Sequence, residues 1–141
     1  MTQSLKIGRT DHGNLQKHQN SNPVQRMLLN RFHDKIIALI KETNAQTLFD
    51  AGCGEGFLRE HMLNAGLDLT YYGTDLSFES LTWSHQNLFP DLQASVSNLY
   101  HLPYPDNAFP LVTCLEVLEH VPDSVIALRE LARVSSEYLI L

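Results

Sequence analysis

Thr47-Leu48-Phe49-Asp50-Ala51-Gly52-Cys53-Gly54-Glu55-Gly56 is the stretch that decides the fold of this chain. Its first half, residues 47–51, is a short apolar run that reads as a strand, and a helical period begins just beyond it at Phe57. The glycines between them permit a tight turn and let a ligand approach the backbone closely. Glycine alone does not choose that ligand. A dinucleotide fingerprint needs G-x-G-x-x-G, whereas here Gly52 and Gly54 are followed by Gly56, with Phe57 in the third-glycine slot. Asp50 and Glu55 flank the turn, where carboxylates would repel a pyrophosphate. A cationic ligand suits the turn better.

Outward from this stretch, short apolar runs alternate with helical periods. Residues 57–65 read as a helix ending at Gly66, 69–73 as a second strand, 77–88 as a helix and 92–97 as a third strand. Residues 102–107, with two prolines and an Asp-Asn turn, read as a loop. A fourth strand follows at 111–115, a helix at 123–134 carrying Val125, Leu128, Leu131 and Val134, and a fifth strand at 138–141. Upstream, Asn22 can cap a helix that Pro23 opens, and Val24, Leu28, Phe32, Ile36 and Ile40 recur every four residues, with Leu29 and Ile37 widening the stripe. That helix should lie on a core. Residues 1–22 have no apolar period and are expected to be a flexible lead-in, leaving 23–141 as the folded domain. Strands alternating with helices imply a parallel α/β sheet, whose ligands sit beyond the carboxyl ends of the strands.

Asp75 closes the second strand, 21 residues past Gly54. An acidic side chain there can accept hydrogen bonds from both hydroxyls of a ribose, which points to a nucleoside ligand. The alternative is that Asp75 merely caps the helix starting near Ser77.

Composition narrows the field further. The 141 residues carry 10 Lys and Arg against 16 Asp and Glu, a net charge of −6, and 43% are hydrophobic, which excludes a disordered chain. The longest aliphatic run, residues 36–40, is far short of the ~18 residues a membrane span requires, and residues 1–20 lack the apolar core of a signal peptide. A cytoplasmic location is expected. Cys53 and Cys114 lack metal or disulfide spacing and are expected to be small buried hydrophobes, and the histidines show no metal-ligand spacing. The charge is split: residues 1–41 sum to +5 and residues 42–141 to −11. Without interleaved aromatics, the basic segment does not read as a nucleic-acid arm.

Four stretches together resemble a class I S-adenosylmethionine-dependent methyltransferase of the type 11 small-molecule group. They are 48–56, then Tyr72-Gly73-Thr74-Asp75-Leu76-Ser77, the segment from Asn98-Leu99 through Leu102-Pro103-Tyr104-Pro105-Asp106-Asn107-Ala108-Phe109, and 111–121 with Leu115-Glu116-Val117-Leu118-Glu119-His120-Val121. The resemblance implies a Rossmann-like, doubly wound sheet with strand order 3-2-1-4-5. It implies S-adenosyl-L-methionine as cofactor, with Asp50, Ala51, Gly52, Cys53, Gly54 and Gly56 around its methionine part and Asp75 on its ribose. Leu76 would flank the adenine, Asn98 would accept from the adenine amino group with Leu99 alongside, and the backbone at Leu115 and Glu116 would close the site. The cofactor's own carboxylate needs donors, for which loop N–H groups, Lys17, Arg26 or Arg31 are candidates. Methyl transfer is an in-line displacement that requires alignment more than a catalytic triad. If the acceptor is a hydroxyl, His120 is the expected base, with Glu116 and Glu119 as rivals.

Two features depart from the family. Pro110 stands where an acid is common, at the expected start of the fourth strand. The antiparallel strand pair that usually follows the fifth strand is missing, so the domain reads as truncated there, with an apolar edge at the fifth strand open to self-association. The expected function is methyl transfer to a small-molecule acceptor. The alternatives are a non-catalytic cofactor-binding fragment or subunit that needs a partner to complete the sheet and, less favoured by the glycine pattern, an NAD-dependent oxidoreductase.

Overall fold

The computed structural model of the chain describes residues 13–19 and 21–141. The quoted stretch begins with β1 (Thr47–Ala51), whose last four residues are all buried. A strand covered on both faces must be apolar on both, and successive side chains alternate sides. Leu48 accordingly enters one core with Ile36, Ile37, Ile40, Leu58, Met62 and Leu81. Its neighbour Phe49 enters the other with Phe109, Val112, Ala127, Leu131 and Val134. Phe49 is fully buried and stacks on Phe109 with ring centroids 4.6 Å apart.

Around β1 lie β2 (Thr70–Asp75), β3 (Gln93–Val96), β4 (Phe109–Thr113) and β5 (Ser135–Ile140). All pair in parallel, in the order β3-β2-β1-β4-β5. The expected doubly wound sheet is therefore present. The chain leaves β1 toward β2 and β3, then returns to the other side of β1 for β4 and β5, so the topological switch point lies at the carboxyl end of β1 and β4.

The helices are bounded as their caps dictate. In α2 (Pro23–Thr43), Asn22 Oδ1 accepts from Val24 N at 3.0 Å, and Asn44 ends the helix in the left-handed region. α3 (Phe57–Asn64) starts from Gly56 at φ 85°, a conformation that favours glycine. Ser77 Oγ caps α4 (Phe78–Asn87) by accepting from Ser80 N at 3.1 Å. Asp123 Oδ1 caps α5 (Ser124–Val134) by accepting from Val125 N and Ile126 N. α5 packs on the Phe49 face, while α2, α3 and α4 contribute to the Leu48 face.

Four elements differ from the sequence expectation by more than one residue at an end, and the third strand, Gln93–Val96, is one residue shorter at each end than expected. β4 starts at Phe109 and ends at Thr113, which places Pro110 inside the strand. Its missing N–H does no damage there, because pairing with β1 begins only at Leu111 and pairing with β5 shifts register between Phe109 and Leu111. β2 runs on to Asp75. β5 begins at Ser135, straight from the end of α5, and occupies one edge of the sheet. Finally, residues 13–19 of the expected lead-in form a short helix, α1 (Gly13–Gln19), while 1–12 and 20 lie outside the described residues.

Candidate functional site

The glycine turn is held through its backbone amides, mostly by the end of β2. Gly52 N and Cys53 N donate to Thr74 O at 2.7 and 2.9 Å, Gly54 N donates to Asp75 Oδ2 at 2.8 Å, and Gly56 N donates to Cys53 O at 2.9 Å. Four of the loop amides are thus already satisfied within the protein. The expectation that loop N–H groups supply donors to a bound carboxylate does not hold for these four. Gly52 has φ 85°, and a Cβ on it would collide with Val117 Cγ2, so glycine is required twice over. Gly73 on β2 is required for a different reason: a Cβ there would lie 2.7 Å from Cys53 Sγ.

Across from the glycine turn, β4 ends in a second sharp turn. Glu116 adopts φ 58°, a left-handed conformation that costs a non-glycine residue roughly 1–2 kcal/mol. This kink brings Val117 against Gly52 and sets Leu115 and Glu116 beside the first loop.

Asp50 sits between the two loops, 3% exposed. Tyr71 donates its hydroxyl to Asp50 Oδ2 at 2.6 Å, and Thr113 donates to Oδ1 at 2.7 Å, so neighbouring strands grip the carboxylate from both sides. Burial nonetheless raises its pKa from 3.8 to about 6; the two hydrogen bonds oppose the rise, and the charge of Asp75 adds to it. A carboxylate buried in this way gains from any cation placed beside it. Glu55, also 3% exposed, accepts from Ser80 Oγ at 3.1 Å.

These groups border a pocket of about 430 Å³ at the switch point. Of the expected cofactor residues, it brings together Asp50, Gly52, Cys53, Leu115 and Glu116. Ala51 is wholly buried, and Gly54 and Gly56 belong to the turn behind the pocket. Asp75 lies at the end of β2, where Oδ1 accepts from Ser77 N at 2.8 Å and Oδ2 from Gly54 N. Each oxygen keeps a second lone pair. Since Ser77 is the cap of α4, Asp75 is not the cap itself. Leu76 is 72% exposed beside it. Asn98 is exposed, and its Oδ1 accepts from Tyr100 N at 3.0 Å. Leu99 is buried in the Phe49-side core rather than at the pocket. His120 is on the exposed turn Leu118–His120, its side chain 74% exposed and Nε2 3.8 Å from Glu119 Oε1, outside the pocket lining.

The amino-terminal segment supplies the other wall, through side chains other than those expected. It comes from the amino-terminal half of α2, through Gln25, Leu28, Leu29, Phe32 and His33, and from Phe57 and Leu58 at the start of α3. Arg26 and Arg31 do not line it, and Lys17's side chain is outside the described residues. α1 contributes His18, which stacks on Phe57 at 3.6 Å between ring centroids. His33 stacks on His61 at 3.9 Å, and the pKa of each is lowered, mainly by burial. The periodic stripe of α2 was the available signal, but a stripe facing a pocket and one facing a core look alike in sequence.

Cys53 and Cys114 are free and buried, and fall in separate cores. Burial pushes both thiols up, Cys114 to about 12, so each is an inert packing residue. Among the described residues, no group of three or more His, Cys, Asp or Glu side chains could hold a metal ion, and no helix is long and apolar enough to cross a membrane.

Comparison with known proteins agrees with this geometry. A family model described as "Methyltransferase domain" matches residues 49–137. The ubiquinone biosynthesis O-methyltransferase of Thiobacillus denitrificans is 39% identical over 87 residues, 57% of this chain and 36% of that protein. The chain spans two fifths or less of the length of the curated relatives it matches first. A candidate S-adenosyl-L-methionine-dependent methyltransferase of Methanococcus maripaludis superposes with a TM-score of 0.70 at 19% identity, covering 96% of this chain and 63% of that one. Magnesium protoporphyrin IX methyltransferase from Synechocystis, solved with bound SAH, gives 0.69 at 21% identity, covering 89% and 64%. The expected family is therefore the right one, and the NAD-dependent alternative falls. With its glycine turn, its 3-2-1-4-5 sheet and a family match over most of its length, the chain belongs to the methyltransferase-domain family and is a class I S-adenosylmethionine-dependent methyltransferase domain.

Proposed function

We propose that the switch-point pocket holds the methionine end of S-adenosyl-L-methionine and that the domain transfers its methyl group to a hydroxyl oxygen of a small-molecule acceptor. The observation that carries this reading is the buried Asp50 carboxylate at the floor of a pocket with apolar walls. The cofactor's ammonium and sulfonium are cations, and a desolvated carboxylate with Glu55 and Glu116 nearby supplies the charge they need. Leu28, Leu29, Phe32 and Leu115 suit its methylene groups. The spare lone pairs of Asp75 suit the role of ribose acceptor, and exposed Leu76 and Asn98 lie next along the same edge for the adenine.

When bound, the cofactor supplies a methyl carbon already activated by its positive sulfur. What remains for the chain is to align the acceptor, exclude water and take up a proton. The choice of oxygen as the methylated atom draws on the curated relatives, which are named as O-methyltransferases. Calorimetric titration with S-adenosyl-L-methionine and with NAD, followed by a labelled-methyl assay across phenols, amines and thiols, tests the reading. Tight binding of the first ligand alone, with label entering phenols, is expected. Binding without transfer to any acceptor class would leave a cofactor-binding module in place of an enzyme.

A further inference from the structure

We propose that His33 is the group that takes the acceptor's hydroxyl proton during methyl transfer, a role that rests on the hydroxyl-acceptor reading above. His33 lines the same pocket as Asp50, Gly52 and Cys53, and is only 6% exposed. Its Nδ1 lies 2.9 Å from the carbonyl oxygen of Leu29. A carbonyl oxygen can only accept, so Nδ1 carries the ring proton and Nε2 keeps the lone pair. Stacking on His61 at 3.9 Å fixes the ring plane. The ring is thus held as a neutral base whose Nε2 carries the lone pair.

The charges around it act in both directions. Burial and His61 of α3 lower the pKa of His33, while the hydrogen bond to Leu29 O and then Asp34 on its own helix raise it by less. His18 of α1 approaches to 5.6 Å between ring centroids, and Asp50, Glu55 and Glu116 share the pocket. At neutral pH the net result is a free base, ready to accept. As a lone pair of the hydroxyl oxygen forms the new O–CH3 bond, the S–CH3 electron pair leaves with sulfur and the O–H proton passes to Nε2. The products are a methyl ether, a neutral thioether and an imidazolium, so the single positive charge is conserved. His120, exposed and outside the pocket, has no comparable position.

The test has one arm that needs no turnover. Nitrogen-15 NMR of the histidine rings should show His33 as the Nδ1–H tautomer at neutral pH, titrating below its ordinary 6.5. An Nε2–H tautomer or a cationic ring overturns the proposal. In the kinetic arm, His33→Asn keeps a donor toward Leu29 and removes the base. With catechol as acceptor, kcat should fall roughly 10²–10⁴-fold while S-adenosylhomocysteine affinity stays within about twofold, and the acid limb of the kcat/KM pH profile for catechol, measured with S-adenosyl-L-methionine saturating at every pH, should vanish. With 4-nitrocatechol, ionised at mildly alkaline pH, the variant should recover to within about tenfold of the unsubstituted chain. Should the Asn variant fail to bind S-adenosylhomocysteine, His33→Gln takes its place. Unchanged kcat, or equal loss with both phenols, overturns the role of His33 alone. If the unsubstituted chain methylates neither phenol, the hydroxyl-acceptor reading falls and takes this role with it.

Discussion

Replacing Asp50 with Asn should remove a pH-dependent loss of stability from the empty domain and make the cofactor bind more weakly. Asp50 has its carboxyl raised from 3.8 to about 6 in the folded chain. For a group raised on folding, the stabilising contribution is complete below the unfolded value and lost as pH rises through the folded one. The window is therefore about pH 4 to 6, and the loss, at 1.36 kcal/mol for each unit between the two values, comes to about 3 kcal/mol. An asparagine side chain cannot ionise, so the Asp50→Asn variant escapes this loss. Its altered hydrogen bonding to Tyr71 and Thr113 adds an offset that does not change with pH. Urea denaturation of both proteins at a series of pH values isolates the effect, since every other titrating group is shared. The stability difference, variant minus original, should climb by about 3 kcal/mol between about pH 4 and 7 and then level off. A difference independent of pH would refute the account of Asp50 as a strained carboxylate. A fall in its place would mean that the hydrogen bonds from Tyr71 and Thr113 outweigh burial. The same carboxylate should make S-adenosyl-L-methionine binding roughly tenfold weaker at about pH 5 than at neutrality, a dependence the variant lacks.

Three further outcomes follow from the geometry. Gly52→Ala combines a left-handed φ with a collision against Val117, so it should cost about 2–4 kcal/mol in thermal or urea unfolding and abolish cofactor binding by calorimetry. Phe49→Ala empties a fully buried site between Phe109 and Tyr104, and should destabilise the domain by about 3–5 kcal/mol in urea titration. His120→Ala removes an exposed ring outside the pocket, and kcat should stay within about twofold of the original; a large loss with cofactor affinity intact would restore His120 as the base.

Much of the fold could be read directly because β1 is apolar on both faces and ends in glycine, a combination with few structural interpretations. The same stretch brings Asp50, Gly52 and Cys53 to the pocket lining, and the turn after β4 brings Leu115 and Glu116. The strand limits were harder. Ser135 to Glu137 are polar and half-buried or exposed because β5 is an edge strand, so apolar content alone started it too late. α1 has no apolar stripe; its described anchor is the stacking of His18 on Phe57, a tertiary contact between residues far apart in sequence. Leu28 and Phe32 carry the same four-residue period as Ile36 and Ile40, yet the first pair lines the pocket and the second fills the core. Periodicity identifies a face, not what lies opposite it. The raised carboxyl of Asp50 comes from burial in the assembled sheet, against which Tyr71 and Thr113, arriving from two other strands, act through their hydrogen bonds, and only the sheet register brings these groups together.

A crystal structure of the chain with S-adenosylhomocysteine would show whether the pocket between β1 and α2 holds the methionine end of the cofactor. The ligand's amino group is expected beside Asp50, its sulfur near Gly52 and Leu115, and its ribose hydroxyls on Asp75. Ligand density away from Asp50 and Asp75, or no complex at saturating concentration, would contradict it.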